Sequence, residues 1–436
     1  MPKAKYSISV LAQVFFTTLA TVTSVVANAA ELINDNKQFT LLGQHQAGMR
    51  TRFQQVDDPW LGDAQALTMR LKLTSRFLFD EEEKWQALIE PNMVLAVNEQ
   101  DYNSVTIKRR SSPIPDPDGF NLSKAFIVYQ SDNNWQVTLG RQALSFDSER
   151  MIGAIEFWQT PQNFDALKFH FNDQIKWNFQ YAYSNKVHRI FGRDAKSTIP
   201  EEDIRFGFIS KRPVNELGQH ELNSHKFNVA YKTDNDLKAT VYSYLLENKT
   251  QKKFSSNTFG VRISDEFKPN KLKYRYTTEF AVQEGAYNND DNYKAWYSLL
   301  EASIQYKSHI FQLSQETLSE DEGTSFKTSL GTNHKFQGWA DVFTGYSMQA
   351  GLRDQYFTYR GRERKLRWRS VFHYFKGYSN SADIGYELDL ELAYRLTRKW
   401  QFKLIFADYH SKDGLRHFPK TNYDLSTWFV SVAYNI

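Results

Sequence analysis

The chain contains no cysteine, which excludes a disulfide framework and thiolate metal sites. Its mean hydropathy is −0.60. Beyond the N-terminus there is no apolar run of about 20 residues, the length a membrane-spanning helix needs, so helical spans are excluded. Neither sign of charge prevails. The 54 Lys and Arg stand against 50 Asp and Glu, a formal net charge of +4, and this lacks the electrostatic footprint of a nucleic-acid binder. Proline is sparse, 11 in 436 residues, and no Pro- or Gly-rich linker divides the chain. Motifs of the H-E-x-x-H, G-x-S-x-G, Walker A and G-x-G-x-x-G types are missing as well, so no catalytic residue, metal or cofactor is expected. Two oxygen-rich segments, Asp116 to Gly119 (DPDG) and Asn288 to Asn292 (NNDDN), lack the spacing of an EF-hand loop and read as solvated turns.

What the chain does have is aromatic residues, 15% of the total, set in a period-two pattern. From Ile384 to Leu396 every even position is apolar: Ile384, Tyr386, Leu388, Leu390, Leu392, Tyr394 and Leu396. Asp383, Glu387, Asp389, Glu391 and Arg395 stand among the odd ones. The preceding segment alternates in the same way, with Leu366, Trp368, Phe372 and Tyr374 on one face and Lys365, Arg367, Arg369 and His373 on the other. A helix would scatter these residues around its surface, whereas a strand sorts them onto two faces. An apolar exterior with an ionised interior suits a closed β-barrel in lipid around a watery lumen. The fold expected is all-β: a transmembrane antiparallel up-and-down barrel of about 18 strands, with 16 within the uncertainty of the boundaries.

The first 29 residues read as a secretory leader. Lys3 and Lys5 are the basic segment, Ile8 to Val26 the apolar core, and Ala27-Asn28-Ala29 an A-x-A cleavage site. Removal near Ala29 takes away two lysines and no acids and leaves residues 30–436 as one barrel domain of net charge about +2. The expected location is the bacterial outer membrane, with membrane lipid around the barrel.

Alternating segments recur at 39–54, 65–79, 84–100, 120–131, 134–144, 163–172, 174–186, 223–233, 237–249, 257–265, 271–284, 293–306, 308–318, 351–360, 365–377, 383–396, 399–411 and 423–436. Short turns rich in Asn, Asp and Gly follow the even strands, and those residues tolerate unusual backbone angles. Longer segments, 101–119, 145–162, 187–222, 319–350 and 412–422, follow most odd strands. Short-then-long alternation matches tight periplasmic turns and larger outer loops. Trp85, Trp135, Trp177, Trp296, Trp368, Trp400 and Trp428 fall near strand ends, as an interfacial girdle requires.

Two segments resemble the alginate export family of outer-membrane porins. One is Trp135 to Phe171, with LGRQ, R-x-I-G at Arg150 to Gly153, and NFDALKF. The other is Gly331 to Phe343, GTNHKFQGWADVF, with the later GYELDLELAYRL. The resemblance implies a monomeric 18-stranded barrel with an ionised pore, passing anionic, alginate-like oligo- or polysaccharides.

Taking the charged phase as inward gives a candidate pore lining of Arg50, Arg70, Lys72, Arg76, Arg262, Arg275, Arg367, Arg369, Arg395, Glu387, Asp389 and Glu391, with Arg52, Lys273, Lys365, Glu279 and Glu301 in the same phase. Arg141 and Arg150 flank a loop and read as brackets of the pore mouth. Arginine presents a planar fork of donors that matches carboxylate groups, and rings of Arg or Lys favour anions. The acidic segment 387–391 should pair with 365–369, either as a transverse field or as a wall of ion pairs. Tyr242, Tyr244 and Phe375 are candidates to stack on sugar rings. The function expected is a channel for anionic or polyhydroxylated solutes. The alternatives are an enzyme on the barrel wall, for which no nucleophile and base are found on neighbouring strands, and a soluble acidic-polysaccharide binder, which leaves the two-faced strands and sorted loops without a cause.

Overall fold

A computed structural model describes residues 43–80, 82–104, 111–192, 218–343, 351–379, 381–413 and 419–436. The expected leader, and Arg193, Lys211 and Arg212 of the longest loop, lie outside the described residues. The strands are Gly43–Asp57 (β1), Ala64–Leu78 (β2), Trp85–Ala96 (β3), Gly119–Gln130 (β4), Trp135–Gln142 (β5), Asn163–Asn172 (β6), Trp177–His188 (β7), Gln219–Lys232 (β8), Lys238–Asn248 (β9), Ser256–Phe267 (β10), Leu272–Gly285 (β11), Lys294–Tyr306 (β12), His309–Leu318 (β13), Glu320–Asp321 (β14), Thr324–Ser325 (β15), Leu352–Glu363 (β16), Leu366–Gly377 (β17), Asp383–Arg395 (β18), Trp400–Ser411 (β19) and Leu425–Asn435 (β20). All but the small hairpin β14–β15 form one 18-stranded antiparallel sheet. It closes where β1 pairs with β20, from Gly48 opposite Asn435 to Asp57 opposite Ser426. Closure leaves no sheet edge, the condition for a strand structure to sit in hydrocarbon. All 18 expected strands are present, in order.

Short turns gather at one rim and the long connections at the other. Seven of the short turns hold a residue with left-handed backbone: Glu83, Asn134, Gln174, Asp236, Asn270, Lys307 and Arg364. This geometry lets two antiparallel strands join without splaying. The outward face is apolar, with Leu139, Val241 and Leu313 each more than 60% exposed. Trp85 on Tyr129, Trp135 on Phe171, Trp177 on Tyr231 and Trp400 on Tyr434 form ring pairs with centroids 4.6–4.8 Å apart. These four pairs sit at the short-turn rim. Trp296 and Trp428 lie toward the other rim, so the tryptophans make two girdles.

The interior differs from a simple watery tube. Two long connections fold into it, residues 143–162 (inner loop A) and 319–343 (inner loop B). Leu144, Phe146, Ile152 and Trp158 of loop A, and Phe326, Leu330, Trp339, Val342 and Phe343 of loop B, are all buried. They join inward-facing strand residues in one apolar cluster: Phe146 meets Tyr244, and Phe343 meets Phe375 with centroids 4.4 Å apart. The inward phase of a strand is therefore not uniformly ionised. It is apolar where a loop seats against it.

Candidate pore constriction

The inner loops are tied to each other and to the wall. Ile152 bridges Leu330, the Gly153 N–H donates to the Leu330 carbonyl at 2.9 Å, and the Thr332 N–H donates to the Glu149 carbonyl at 2.9 Å. Gln162 spans both loops, donating to the carbonyls of Gly153 and Leu330. The closest approach is at Gly331, where a β-carbon would strike the Arg150 carbonyl. Arg150 itself is 1% exposed. Its fork donates to both oxygens of Glu316 on β13, at 2.7 and 3.0 Å, and its remaining nitrogen reaches Thr328 and Asn333 of loop B. Burial works against its charge, but the Glu316 carboxylate and other neighbours together raise the Arg150 pKa. The sequence places Arg150 at the pore mouth. Instead it is the buried tie of loop A to loop B and the wall, while Glu149 pairs with Lys335 at 3.5 Å.

Loop B is seated on β18. The Ala340 N–H donates to Glu387 at 2.7 Å and the Trp339 N–H to Asp389 at 3.3 Å. Gly338, with φ of +85°, lies against the Glu387 carboxylate, where a β-carbon would collide. Glu387 and Asp389 are fully buried. They are not the open acidic wall that the alternation suggests, because loop B covers them. Within the acidic segment, Glu387 stands opposite His373, whose Nε2 lies 3.5 Å from Asp389, and Glu391 stands opposite Arg369. Glu391 pairs with Arg369 in register, at 3.9 Å, and with Lys403 at 3.0 Å.

Three strands round the barrel from β18, β1 and β2 set Arg50 opposite Arg70, with Arg52 one pleat on and Lys72 beside them in the inward phase. Two like charges in register repel, so something must hold them. The holder is a run of four consecutive carbonyls of loop A. Arg50 donates to those of Glu156 and Trp158, Arg52 to that of Phe157, and Arg70 to that of Gln159. Arg52 also pairs with buried Asp116. This makes the DPDG segment part of the arginine cluster, not the solvated turn expected from sequence. Lys72 lies 3.4 Å from Glu90. Arg50 and Arg70 have no ion pair among the described residues. They are oriented by neutral dipoles.

A cavity of ≈ 530 Å³ opens onto this group. Arg50, Arg52, Arg70 and Lys72 line one side. Lys335, Arg369 and Lys403 line the other, with Glu149, Glu156 and Glu391 between, and Phe157, Trp339 and Phe429 supply aromatic faces. A second cavity of ≈ 230 Å³ holds Glu301, Glu316, Asp354 and His373. Lys335, Trp339 and Arg369 border both, so the tip of loop B divides the lumen into a basic and a more acidic side. Arg369 lies over the Trp339 ring at 4.2 Å, a cation–π contact that leaves the guanidinium edge free to bond.

The other residues singled out from sequence fall in several places. Arg262 pairs with Glu279, which also accepts the Tyr242 hydroxyl at 2.8 Å. Arg275 and Lys273 share Glu266 near the short-turn rim. Arg76, Arg367 and Arg395 are in the inward phase toward that rim, without an ion pair among the described residues. Tyr242, Tyr244 and Phe375 all face inward but are buried, so they pack the interior and offer no open ring. Arg141 is the clear misplacement. It shares the outward phase of β5 with Trp135 and Leu139, forks onto Asp165 at 2.8 and 3.3 Å, and donates to the Leu122 carbonyl. His188 completes that outer cluster at 2.9 Å from Asp165. β5 alternates without a shift, so Arg141 keeps the phase that Trp135, Val137 and Leu139 mark as outward. Sequence reasoning missed Lys335 and Gln159, which sit on loops with no alternation to reveal them. It also missed Arg360 and Arg362, which oppose Arg369 and Arg367 in register and so share the inward phase.

Comparison with known proteins bears on this arrangement. A family model described as alginate export matches residues 43–314, more than half of the chain. No curated protein matches. Among solved structures, the chain is similar to Acinetobacter baumannii OccAB2, with a TM-score of 0.66 at 12% identity. It is also similar to Pseudomonas aeruginosa OccK2 (OpdF), solved in complex with glucuronate, with a TM-score of 0.63 at 11% identity, and to Pseudomonas aeruginosa OpdK, solved with vanillate, with a TM-score of 0.61 at 11% identity. Each alignment covers 90% of this chain and 98% of the other. At such identity the likeness is one of fold.

Proposed function

The chain belongs to the alginate export family, and on that footing we propose that it is a passive outer-membrane channel for anionic solutes bearing a polar ring, uronates and short acidic sugars among them. One observation carries this reading. Arg50 and Arg70 face a ≈ 530 Å³ cavity, held by backbone carbonyls and not by carboxylates. Cations fixed in a narrow, low-dielectric passage concentrate anions and set charge preference. A carboxylate there gains forked, charge-assisted hydrogen bonds, and the half-buried Phe157 borders the cavity. The glucuronate and vanillate bound by the structural relatives are ring carboxylates and fit the same chemistry.

The cavity lies within the ≈ 300–1,000 Å³ typical of small-molecule sites. The two inner loops, tied at Arg150, leave a compartment of that scale, which favours short solutes over a long polymer. One chain encloses a complete lumen, and this favours a monomeric pore. The N-terminal leader is removed near Ala29 on export to the outer membrane. The test is conductance of the purified mature chain in planar bilayers, with glucuronate and glucose as candidate blockers. Glucuronate should interrupt the current at concentrations where glucose does not. Equal effects of the two would refute recognition by charge.

A further inference from the structure

Loop A contributes carbonyls to the arginines through residues 156–159; the Phe157 and Trp158 rings lie against Arg52, and Gln159 adds a side-chain hydrogen bond. Its Oε1 accepts from Arg50 Nε at 2.9 Å, and its Nε2 donates to Thr68 Oγ1 at 3.0 Å and to the Arg50 carbonyl at 3.3 Å. Its main-chain N–H donates to Asp116 at 2.8 Å, and its carbonyl accepts from Arg70 at 3.4 Å and Asn92 at 3.3 Å. The residue is fully buried. A carboxyl group of the same shape would accept from Arg50 equally well. When ionised it has no hydrogen to give the Arg50 carbonyl, which can only accept. The surroundings are built for an amide.

We propose that Gln159 is a positioning residue for solute selectivity. Its neutral side-chain amide aims Arg50 toward the cavity, beside the main-chain carbonyl that bonds Arg70, and adds no counter-charge. The proposal rests on the anion-channel reading above and names the residue that orients Arg50 without adding a counter-charge. Among the described residues Arg50, Arg52 and Arg70 together make one ion pair, to Asp116, with Glu90 and Glu156 acting on them from farther off. Glutamate at 159 would add a second, directly on Arg50. Asparagine at 116 would remove the first.

The experiment measures reversal potentials of the mature chain in a KCl gradient for wild type, Gln159→Glu, Gln159→Met, Asp116→Asn and the double variant Gln159→Glu/Asp116→Asn. Altered gel mobility on boiling verifies that each is folded. Gln159→Glu should lower the anion-to-cation permeability ratio roughly tenfold, Asp116→Asn should raise it, and the double variant should return to within about twofold of wild type. Gln159→Met should keep the wild-type ratio within about twofold but weaken block by glucuronate, because Arg50 loses its guide. A folded Gln159→Glu channel with the wild-type ratio would overturn the proposal. So would a fall in Gln159→Met as large as in Gln159→Glu, which would make the role one of shape alone. Should Gln159→Glu not fold, Asp116→Asn decides, since an unchanged ratio there removes the charge count on which the inference stands. A wild-type channel without anion preference would instead overturn the parent reading.

Discussion

Arg150 and Glu316 stand 166 positions apart in the chain and meet inside the barrel through two parallel hydrogen bonds of 2.7 and 3.0 Å. Both side chains are at most 2% exposed. The pair joins loop A, β13 and, through Thr328 and Asn333, loop B. The constriction is therefore one body fastened to the wall.

Breaking that pair should loosen the constriction. Removing one partner of a buried ion pair leaves an uncompensated charge and costs about 3–5 kcal/mol. Arg150→Met is expected to lower the denaturation midpoint of the barrel and to raise single-channel conductance and its noise. The double change Arg150→Met/Glu316→Leu should be less destabilised than Arg150→Met, because no buried charge is left alone. Thermal unfolding in detergent, with bilayer recordings of both variants, checks this. A single variant as stable and quiet as wild type would show that the loops are held elsewhere.

Gly338 supplies a steric counterpart. A methyl group at this position collides with Glu387 and occupies a backbone region that favours glycine. Gly338→Ala should lift the 338–340 segment from β18, enlarge the passage and raise conductance, with little change in the strand content seen by circular dichroism. Unchanged conductance would mean that loop B does not limit the passage.

The arginines without counter-charges should govern solute affinity. Arg50→Ala with Arg70→Ala is expected to weaken glucuronate block by at least an order of magnitude, each charge-assisted contact contributing about 1.5–3 kcal/mol. Block of the wild type should itself weaken as salt rises from 0.1 to about 1 M, as screening shortens the Debye length from about 10 to about 3 Å. Block that is indifferent to both changes would place solute recognition away from β1 and β2.

Much of this architecture is legible in the sequence, for a physical reason. A strand with lipid on one side and the lumen on the other must alternate, so β17 and β18 announce both their extent and their facing. The same rule put Arg50, Arg70 and Arg369 on the inner surface before any coordinates. It fails where the lumen is not water. Glu387 and Asp389 alternate as though solvated, yet loop B covers them, and no local pattern records a contact made by a segment some 50 residues away. Arg150 and Gln159 lie on loops whose positions depend on long-range partners. Arg141 keeps the outward phase that Trp135, Val137 and Leu139 mark on β5, so the same rule, applied to that strand, contradicts its placing at the pore mouth.

Arg141 gives a corresponding negative control. It lies on the outer face with Asp165, so Arg141→Leu/Asp165→Leu should leave reversal potential and glucuronate block at wild-type values. Arg141→Leu alone should be less stable than the double variant, because it leaves the Asp165 carboxylate with only His188 beside it. Reversal potentials and melting curves of the two variants test both halves. A selectivity change in the double variant would return Arg141 to the solute path.

The most direct test of the whole account is the reversal potential of the wild-type mature chain across a bilayer separating dilute from concentrated KCl. The arginines on β1 and β2, held by carbonyls and facing the cavity, predict a potential of the sign that chloride preference gives, diminishing as total salt rises. A potential of the opposite sign, or a folded barrel that passes no current, would contradict it.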